Sequence, residues 1–578
     1  MPIRLQRHLN RCSTFYPEGD PAIPPALYTS TTVSCSMHPS RGIVWQGTKN
    51  GLFRYDPGAR WDADRVLFFS ATRDLPSNKV LALLPATPAG VNIYEALWVL
   101  TTKGAALLAM RWMSCEKKAN QLLQESIDVV DRRGMFSQRW LARPRDLTSK
   151  LPYNESDNDG EFGCTFALAE WMHYAVLRRG YGPDDLEARR IKAIATRVSE
   201  AMLLLHYIHK RGDGFAARTY LAPHEPIPDG LFFRHLGDGT AQVVETAYAR
   251  ERGLAGKPVA AQAEIPQRLA HLYQDEGLGE TGLVYKGDTS SDEVTLHFVH
   301  FYYLHMILGE EDPALRDLCV QTCKNLMGHI LDHGCALHDA FGAPTTWARW
   351  SDEYFQSGFG WSDAPLNAIE ILMYLRVTMA VTGETGRWRE AYDALVAKGY
   401  PELGPLHAER LAQAAARAGM STNQWMMYGD HMLATAAYWP LILLEPDEGL
   451  RELYRRGFAS WRGSIAREHN PGYDIPYLLA CPGAQVDMGQ LEHWFYRSPL
   501  SRLAAPVSLE LRGDISVRTY PDGYQETDKL LPSDERSIGK YDRNPYKYDI
   551  GAGSDRLVES CYPYTFAYWL GRYYEVVG

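Results

Sequence analysis

The chain has 578 residues with 60 basic and 70 acidic side chains, a net charge of −10, 45% hydrophobic content and 12% aromatic content. That length supports a large core and more than one structural unit. The acidic balance excludes a nucleic-acid binder that works by phosphate neutralisation, and the apolar content excludes a disordered chain. No run reaches the roughly 18 apolar residues of a membrane span. Met1 to Tyr28 carries Arg4, Arg7 and Arg11 but no apolar stretch of a signal peptide, so a cytoplasmic protein, or one exported with its signal removed, is expected. Nine scattered cysteines without a CxxC pair predict neither a disulfide framework nor a structural zinc, and Cys319 and Cys323, on one helix face, read as core.

Residues 1–112 read as a small β region of short alternating runs bounded by Gly, Pro and Asp. Two stretches repeat there: Trp45-Gln-Gly-Thr48-Lys-Asn-Gly51-Leu52 and Trp98-Val-Leu-Thr101-Thr-Lys-Gly104-Ala105, with Asp74-Leu-Pro-Ser-Asn-Lys-Val80 between them. They resemble the blade repeat of bacterial two-component-regulator-type β-propellers. The match covers fewer than two blades and a propeller needs at least about four, so a small sheet docked on the main domain is expected.

Residues 113–500 read as helical, with apolar residues at three- to four-residue spacing. Helices are predicted near 115–132, 161–179, 187–210, 264–275, 291–308, 313–333, 365–382, 386–399, 407–417, 424–443, 446–465 and 485–496. This mainly α pattern of paired hairpins predicts an (α/α)6 toroid, complete or partial, as the catalytic domain. Residues 501–578 are expected to pack on it, with a β hairpin over 505–520 around Gly513-Asp514 and a closing helix over about 562–576.

Five constellations carry the chemistry-bearing residue types. In Tyr285-Lys286-Gly-Asp288-Thr-Ser-Ser-Asp292-Glu293…His297…His300, a helix starting at Ser290 or Ser291 puts Glu293, His297 and His300 on one face. That face suits an acid/base pair or half of a divalent-metal site, against a plain capping box with core histidines. Asn154-Glu-Ser-Asp157-Asn158-Asp159-Gly160-Glu161 gathers acids and amides before a helix, functional or merely a capped, solvated loop. Asp339 to Glu353 reads as a hairpin displaying Trp347, Arg349 and Trp350, which suits stacking on a sugar and gripping a carboxylate. Asn423-Gln424-Trp425…Tyr428-Gly-Asp430-His431 opens another helix, and Arg536…Lys540-Tyr541…Asn544-Pro-Tyr546 is placed to fold over the funnel mouth. Each segment lies at or before a helix start, and in a toroid such loops converge on one cleft.

The stretch from Gly282 through Asp292-Glu293 to His297, the hairpin Pro344-Thr-Thr-Trp347-Ala-Arg349-Trp350, Leu366-Asn-Ala-Ile-Glu-Ile-Leu372 and the ending Tyr568-Trp-Leu-Gly-Arg-Tyr573 resemble a bacterial group of helical-toroid proteins, over residues 150–576. Members often carry the propeller repeat ahead of the toroid. The chain departs from the group at Met427–Met432, which replaces a more acidic Asp-Asp-Glu run. Toroids of this shape are mostly carbohydrate-active, so the resemblance implies an oligo- or polysaccharide substrate, with neither nucleic acid nor membrane as partner.

Three readings follow. The first, favoured by the density of His, Tyr, Arg and Asn in the candidate loops, is a lyase that cleaves a uronate-containing glycan by β-elimination. There Arg349, Asn158 and Lys286 neutralise the carboxylate, while His297 and Tyr285 transfer protons, with Glu293, Asp292 and Asp159 beside them. The second is a glycoside hydrolase pairing Asp157 or Asp159 with Asp292 or Glu293. The third is a non-catalytic glycan binder. In all three Asp157, Asp288, Trp347, Trp350, Trp361, Trp425, Asp430 and His431 are expected to line the substrate. No cofactor is required, apart from the alternative of a divalent metal on Glu293, His297 and His300.

Overall fold

The structure is a computed structural model and describes residues 3–87, 92–152, 157–507, 509, 512–536, 543–548 and 554–578. Among these, twelve helices build the ring: α1 (Cys115–Glu125), α2 (Asp159–Tyr181), α3 (Leu186–Leu204), α4 (Ser291–Leu308), α5 (Pro313–Asp332), α6 (Gly360–Thr382), α7 (Gly386–Ala397), α8 (Tyr428–Leu444), α9 (Glu448–Ile465), α10 (Pro471–Ala480), α11 (Met488–Arg497) and α12 (Tyr562–Tyr573). The even-numbered helices form the inner circle, each packed on the next, with α12 returning to α2. α3, α5, α7 and α9 each pack on the inner helix before them, and α1 packs on α12. The fold is an (α/α)6 toroid, mainly α, with a small N-terminal β region.

Side-chain distribution explains which helix goes where. α9 buries a single stripe, Tyr454, Phe458, Trp461 and Ile465, at helical spacing, and exposes its charged face, as an outer helix must. Helices α4, α6 and α8 are apolar on nearly every side because both ring neighbours and an outer helix cover them. α6 is long and apolar enough to cross a membrane by composition, but 89% of its most apolar window is buried inside the toroid.

One inner helix escapes the periodicity. α10 has only ten residues and contains Pro471 and Pro476, so its apolar pattern is short and interrupted. It forms because Pro471 occupies the first turn, where no amide hydrogen is needed, and because Asn470 accepts the Gly472 N–H. Of the predicted helices, those near 264–275 and 407–417 exist as Gln267–Gln274 and His407–Ala418 but stand outside the two circles.

The ring is closed by chemistry from both chain ends. Lys118 of α1, fully buried, donates to the carbonyls of Phe495, Tyr496 and Ser498 at the C-terminal end of α11, where unpaired carbonyls favour a cation. Strand Gln138–Trp140 pairs with Leu557–Glu559 just before α12.

Among the described residues, the β region contains eight strands in two antiparallel sheets. β1 (His8–Tyr16), β8 (Gly104–Met113), β7 (Ile93–Thr101) and β6 (Val80–Pro85) form one, and β2 (Ser34–His38), β3 (Ile43–Thr48), β4 (Gly51–Tyr55) and β5 (Val66–Phe69) the other. The repeat has a local cause. Each T-x-x-G is the turn of a hairpin, β3–β4 or β7–β8, in which Thr48 or Thr101 donates its hydroxyl to the carbonyl of Gly51 or Gly104. Both glycines sit at positive φ, +133° and +116°, which a Cβ would strain.

Two features differ from the expectation. Residues 205–290 build a five-stranded sheet from strands of two to four residues, too short to show alternation. The C-terminal hairpin is Val517–Thr519 with Gln525–Thr527, turning at Asp522-Gly523 rather than at Gly513-Asp514. Val507 and Leu509 alternate because they dock with Leu531 on Phe68 of the β region, not because they pair with a strand.

Candidate active site

The inner helices run in one direction, so their N-termini share one end of the ring; Phe162 of α2 stacks on Tyr562 of α12 there, with ring centroids 5.2 Å apart. Three acids stand at consecutive N-termini: Asp292 on α4, Asp363 on α6 and Asp430 on α8. Helix N-termini carry a partial positive charge that favours carboxylates. Here enclosure opposes it. The Asp430 carboxyl is pushed up to about 8 by burial and by the negative charges of Asp292 and Asp363. Asp363 is also raised by burial, although Tyr354 donates its hydroxyl to the carboxylate at 2.6 Å. Asp292 keeps about a third of its side chain exposed and lies 3.6 Å from the Arg218 guanidinium.

Beneath these three lie two sealed acids. Glu293 closes a capping box with Ser290, whose hydroxyl donates at 2.6 Å, and meets Arg218 at 3.2 Å. Burial, reinforced by Asp292, pushes its carboxyl up to about 7. Glu370 accepts from Trp350 Nε1 at 2.9 Å and Thr295 Oγ1 at 3.0 Å, and burial pushes it up to about 8, with the charges of Asp292 and Asp430 adding to the shift.

Around the mouth the loops ahead of α6 and α8 expose aromatic faces. Trp347, Phe359 and Trp425 are 50%, 79% and 39% exposed, and Trp361 carries Arg410 and Arg417 over its ring.

The remaining expected residues fall into three places. At the same end of the ring, Asp157 pairs with Lys286, Asn158 accepts from Arg218 at 2.8 Å, and Asp288 holds Thr346 of the hairpin through two hydrogen bonds. Arg349 is committed to its own loop, donating to the Thr345 carbonyl at 2.7 Å. In the core lie His297, His300, Tyr285, Trp350, His431 and Asp159, none more than 1% exposed. The sequence expected catalytic roles for His297, Tyr285 and Asp159, substrate-lining roles for Trp350 and His431 and a metal alternative for His300; all six are almost wholly buried. His297 sits one turn below Glu293 among Cys164 at 3.4 Å and His206 at 3.2 Å, and burial holds its ring neutral, well below the ordinary histidine range. His300 faces Ser199 at 2.8 Å. With Glu293 bound by Ser290 and Arg218, the three do not converge on a metal; among the described residues no group of three or more His, Cys, Asp or Glu is arranged for one. Burial raises the Tyr285 hydroxyl far above the usual tyrosine range and lowers His431 to about 4. Asp159 is the buried partner of Arg132 and Thr219. Residues 154–156 and 540–541 lie outside the described residues.

Sequence reasoning missed Arg218, Asp363 and Glu370. Asp363 had a signal, an acid in the first turn of a helix after Gly358-Phe-Gly360, the same pattern as Asp292 and Asp430. Arg218 had none, because it lies in a loop and reaches its partners only through folding. Burial alone would lower its basicity, but Glu293, Asp292, Asp157 and Asp288 outweigh this and raise it.

Glu370 makes a testable contribution to stability. A carboxyl raised in the fold costs nothing below its unfolded pKa of about 4.3 and most above its folded value, so stability falls as pH climbs from about 4.3 to about 8. Glu370→Gln keeps one acceptor oxygen for Trp350 Nε1 and turns its amide N–H toward the Thr295 hydroxyl oxygen, and the drop in thermal midpoint between about pH 5 and about pH 9 should shrink in this variant. An unchanged drop, followed by circular dichroism, would remove Glu370 from this account.

No family model matches the chain, and no curated protein matches it. Two solved structures are similar in overall course. A single-mutant thermostable endoglucanase from Alicyclobacillus acidocaldarius aligns at 12% identity over 93% of this chain and 97% of its own, with a TM-score of 0.30. A Bacteroides ovatus GH9 protein aligns at 9% identity over 92% and 96%, with a TM-score of 0.29. Scores this low speak to neither substrate nor mechanism.

Proposed function

We propose that this protein hydrolyses a glycan, with Asp430 as proton donor and Asp292 as the carboxylate that acts on water or on the sugar. What supports this reading is the gathering of Asp292, Asp363 and Asp430 at the N-termini of neighbouring inner helices, where burial and the charges of the other two push the Asp430 carboxyl up to about 8. Glycosidases need this contrast, one carboxylic acid to protonate the leaving oxygen and one carboxylate beside it. Asp430 gives its proton to the glycosidic oxygen as the C–O bond breaks. Asp292 then takes a proton from the attacking water, if the acids are about 6.5–9.5 Å apart, or bonds to the sugar, if they are about 5–5.5 Å apart. Asp363 holds up the proton on Asp430 by its charge. Arg218 orients Asp292, and the exposed Trp347 and Trp425 offer faces for sugar rings.

The hydrolytic pair differs from the one the sequence favours, because Asp157, Asp159 and Glu293 are tied to Lys286, Arg132 and Arg218. Elimination is less well supported: its proposed proton carriers, His297 and Tyr285, have no more than 1% of their surface exposed.

The test incubates the protein with neutral and uronate-bearing oligosaccharides, following reducing-end release and the ultraviolet absorbance of an unsaturated uronate. Reducing ends without that absorbance are expected. Appearance of the absorbance would replace hydrolysis by elimination, and silence in both assays across a broad panel would leave a binding protein.

A further inference from the structure

A second cavity, about 320 Å³, lies away from the cleft, where the β region meets helix α11. That volume is at the lower end of small-ligand sites. Its walls are aromatic on both sides. Tyr94 and Trp112 of β7 and β8 meet edge to face at 5.9 Å, and Trp61 meets Tyr496 of α11 edge to face at 5.5 Å. Trp112 is 37% exposed, so its ring is only partly covered.

The charge inventory of this cavity is unbalanced. Its three acids are all committed: Asp56 to Arg54 at 3.2 Å, Asp64 to Arg497 and His493, and Asp534 to Arg11 and Arg497. Arg54 and Arg11 are consumed in the same pairs. Arg41 and Arg7 are not. Arg41 donates to the Tyr94 hydroxyl at 2.8 Å and lies over its ring, Arg7 donates to the Asn92 side-chain oxygen, and among the described residues neither has a carboxylate within 4.0 Å. Both are exposed. Arg60 lies over the Trp61 ring, and Tyr94 and Tyr496 are stacked on His38 and His8, which leaves Trp112 as the partly exposed ring beside two guanidinium groups that face neutral oxygens, a local anion trap.

We propose that this cavity is a non-catalytic binding site for an acidic saccharide, its carboxylate held by Arg41 and Arg7 and its ring stacked on Trp112. A guanidinium fork matches a carboxylate through paired N–H donors, and an aromatic face accepts the C–H side of a sugar. The choice of a sugar rests on the glycan reading of the cleft. A nucleotide would also offer a ring and an anion, but among the described residues the lining includes neither a glycine-rich turn nor a long helix's N-terminus, the elements whose backbone amides cradle phosphate.

The test uses isothermal titration with tri-galacturonate, neutral galactotriose and ADP. Each is titrated into Asp430→Asn protein, to suppress turnover, with and without Arg7→Ala/Arg41→Ala, and separately with Trp112→Ala. Tri-galacturonate should bind, and both sets of changes should weaken it by about tenfold or more, the worth of one charge-assisted hydrogen bond, without lowering the thermal midpoint. Unchanged affinity in the double variant, absent binding of tri-galacturonate, galactotriose binding equally well, or ADP binding more tightly would each overturn the proposal. The two readings fail separately. Cleavage that persists while the arginine changes do nothing removes only this site, and arginine-dependent binding by a protein that cleaves nothing removes only the hydrolase.

Discussion

Asp430→Asn should lower kcat on a natural glycan by about 10²–10⁴-fold, the usual worth of a general acid, with KM little changed. The pH dependence gives the sharper signature. Asp430 is protonated below about 8 because burial and the charges of Asp292 and Asp363 disfavour its anion, so wild-type activity should persist into mildly alkaline solution and fall above that value. The variant should lose this alkaline limb. A substrate with an activated aryl leaving group needs little protonation, so the loss on that substrate should be much smaller than on the natural one. Equal losses on both substrates, or wild-type turnover by the variant, would remove Asp430 from the acid role. Among the described residues the Asp430 side chain makes no hydrogen bond or ion pair, and its raised pKa costs stability near neutral pH, so reduced activity with a thermal midpoint that is not lowered is the expected pair of results.

The second large effect concerns the seam that binds the three parts of the chain. Arg497 of α11 donates to Asp534 at 3.0 Å and Glu535 at 2.8 Å of the C-terminal segment and pairs with Asp64 of the β region. Arg11 of β1 reaches the same two acids at 2.9 and 3.1 Å, and Arg512 reaches Glu535 at 2.6 Å. These groups are almost wholly buried, so removing one cation strands acids in a poor solvent. Arg497→Ala should destabilise the protein by about 3–5 kcal/mol, read from denaturant unfolding, far more than any exposed ion pair such as Arg389–Asp393. A change below about 1 kcal/mol would show that water enters the seam and replaces the arginine. Burial works against the Asp534 carboxylate, but Arg11 and Arg497 outweigh it and hold the group well below the usual range. Its contribution is therefore complete above the unfolded pKa of about 3.9 and is lost as pH falls toward the depressed folded value, so acid should loosen the seam.

Much of the architecture is readable along the chain. Helices such as 313–332 and 448–465 show themselves because apolar residues recur at helical spacing after clear caps, as with Asp312 before Pro313 and Asp447 before Glu448. The T-x-x-G repeat is legible for the same reason, since its hydrogen bonds close within four residues. α10 is not legible: ten residues with two prolines hold too few turns to display a period, and ring closure by its neighbours stabilises it instead. The strands of 220–286 are shorter still.

The candidate site divides along the same line. Asp292 and Asp430 stand out in the sequence because each is an acid in the first turn of an apolar helix. Glu293, His297 and His300 share a helix face, as their spacing requires, yet α4 is an inner helix and that face is packed against α2 and α3. Local sequence determined which residues would be helical, where caps and turns fall, and that acids cluster at helix starts, because these depend on interactions within a few residues. Only the tertiary structure decided which acids keep exposed surface and which are sealed, that Trp350 is core while Trp347 is exposed, and that Arg218 pairs with Asp292 and Glu293. Burial and the approach of distant charges set a carboxyl's protonation, and both are created by closure of the ring.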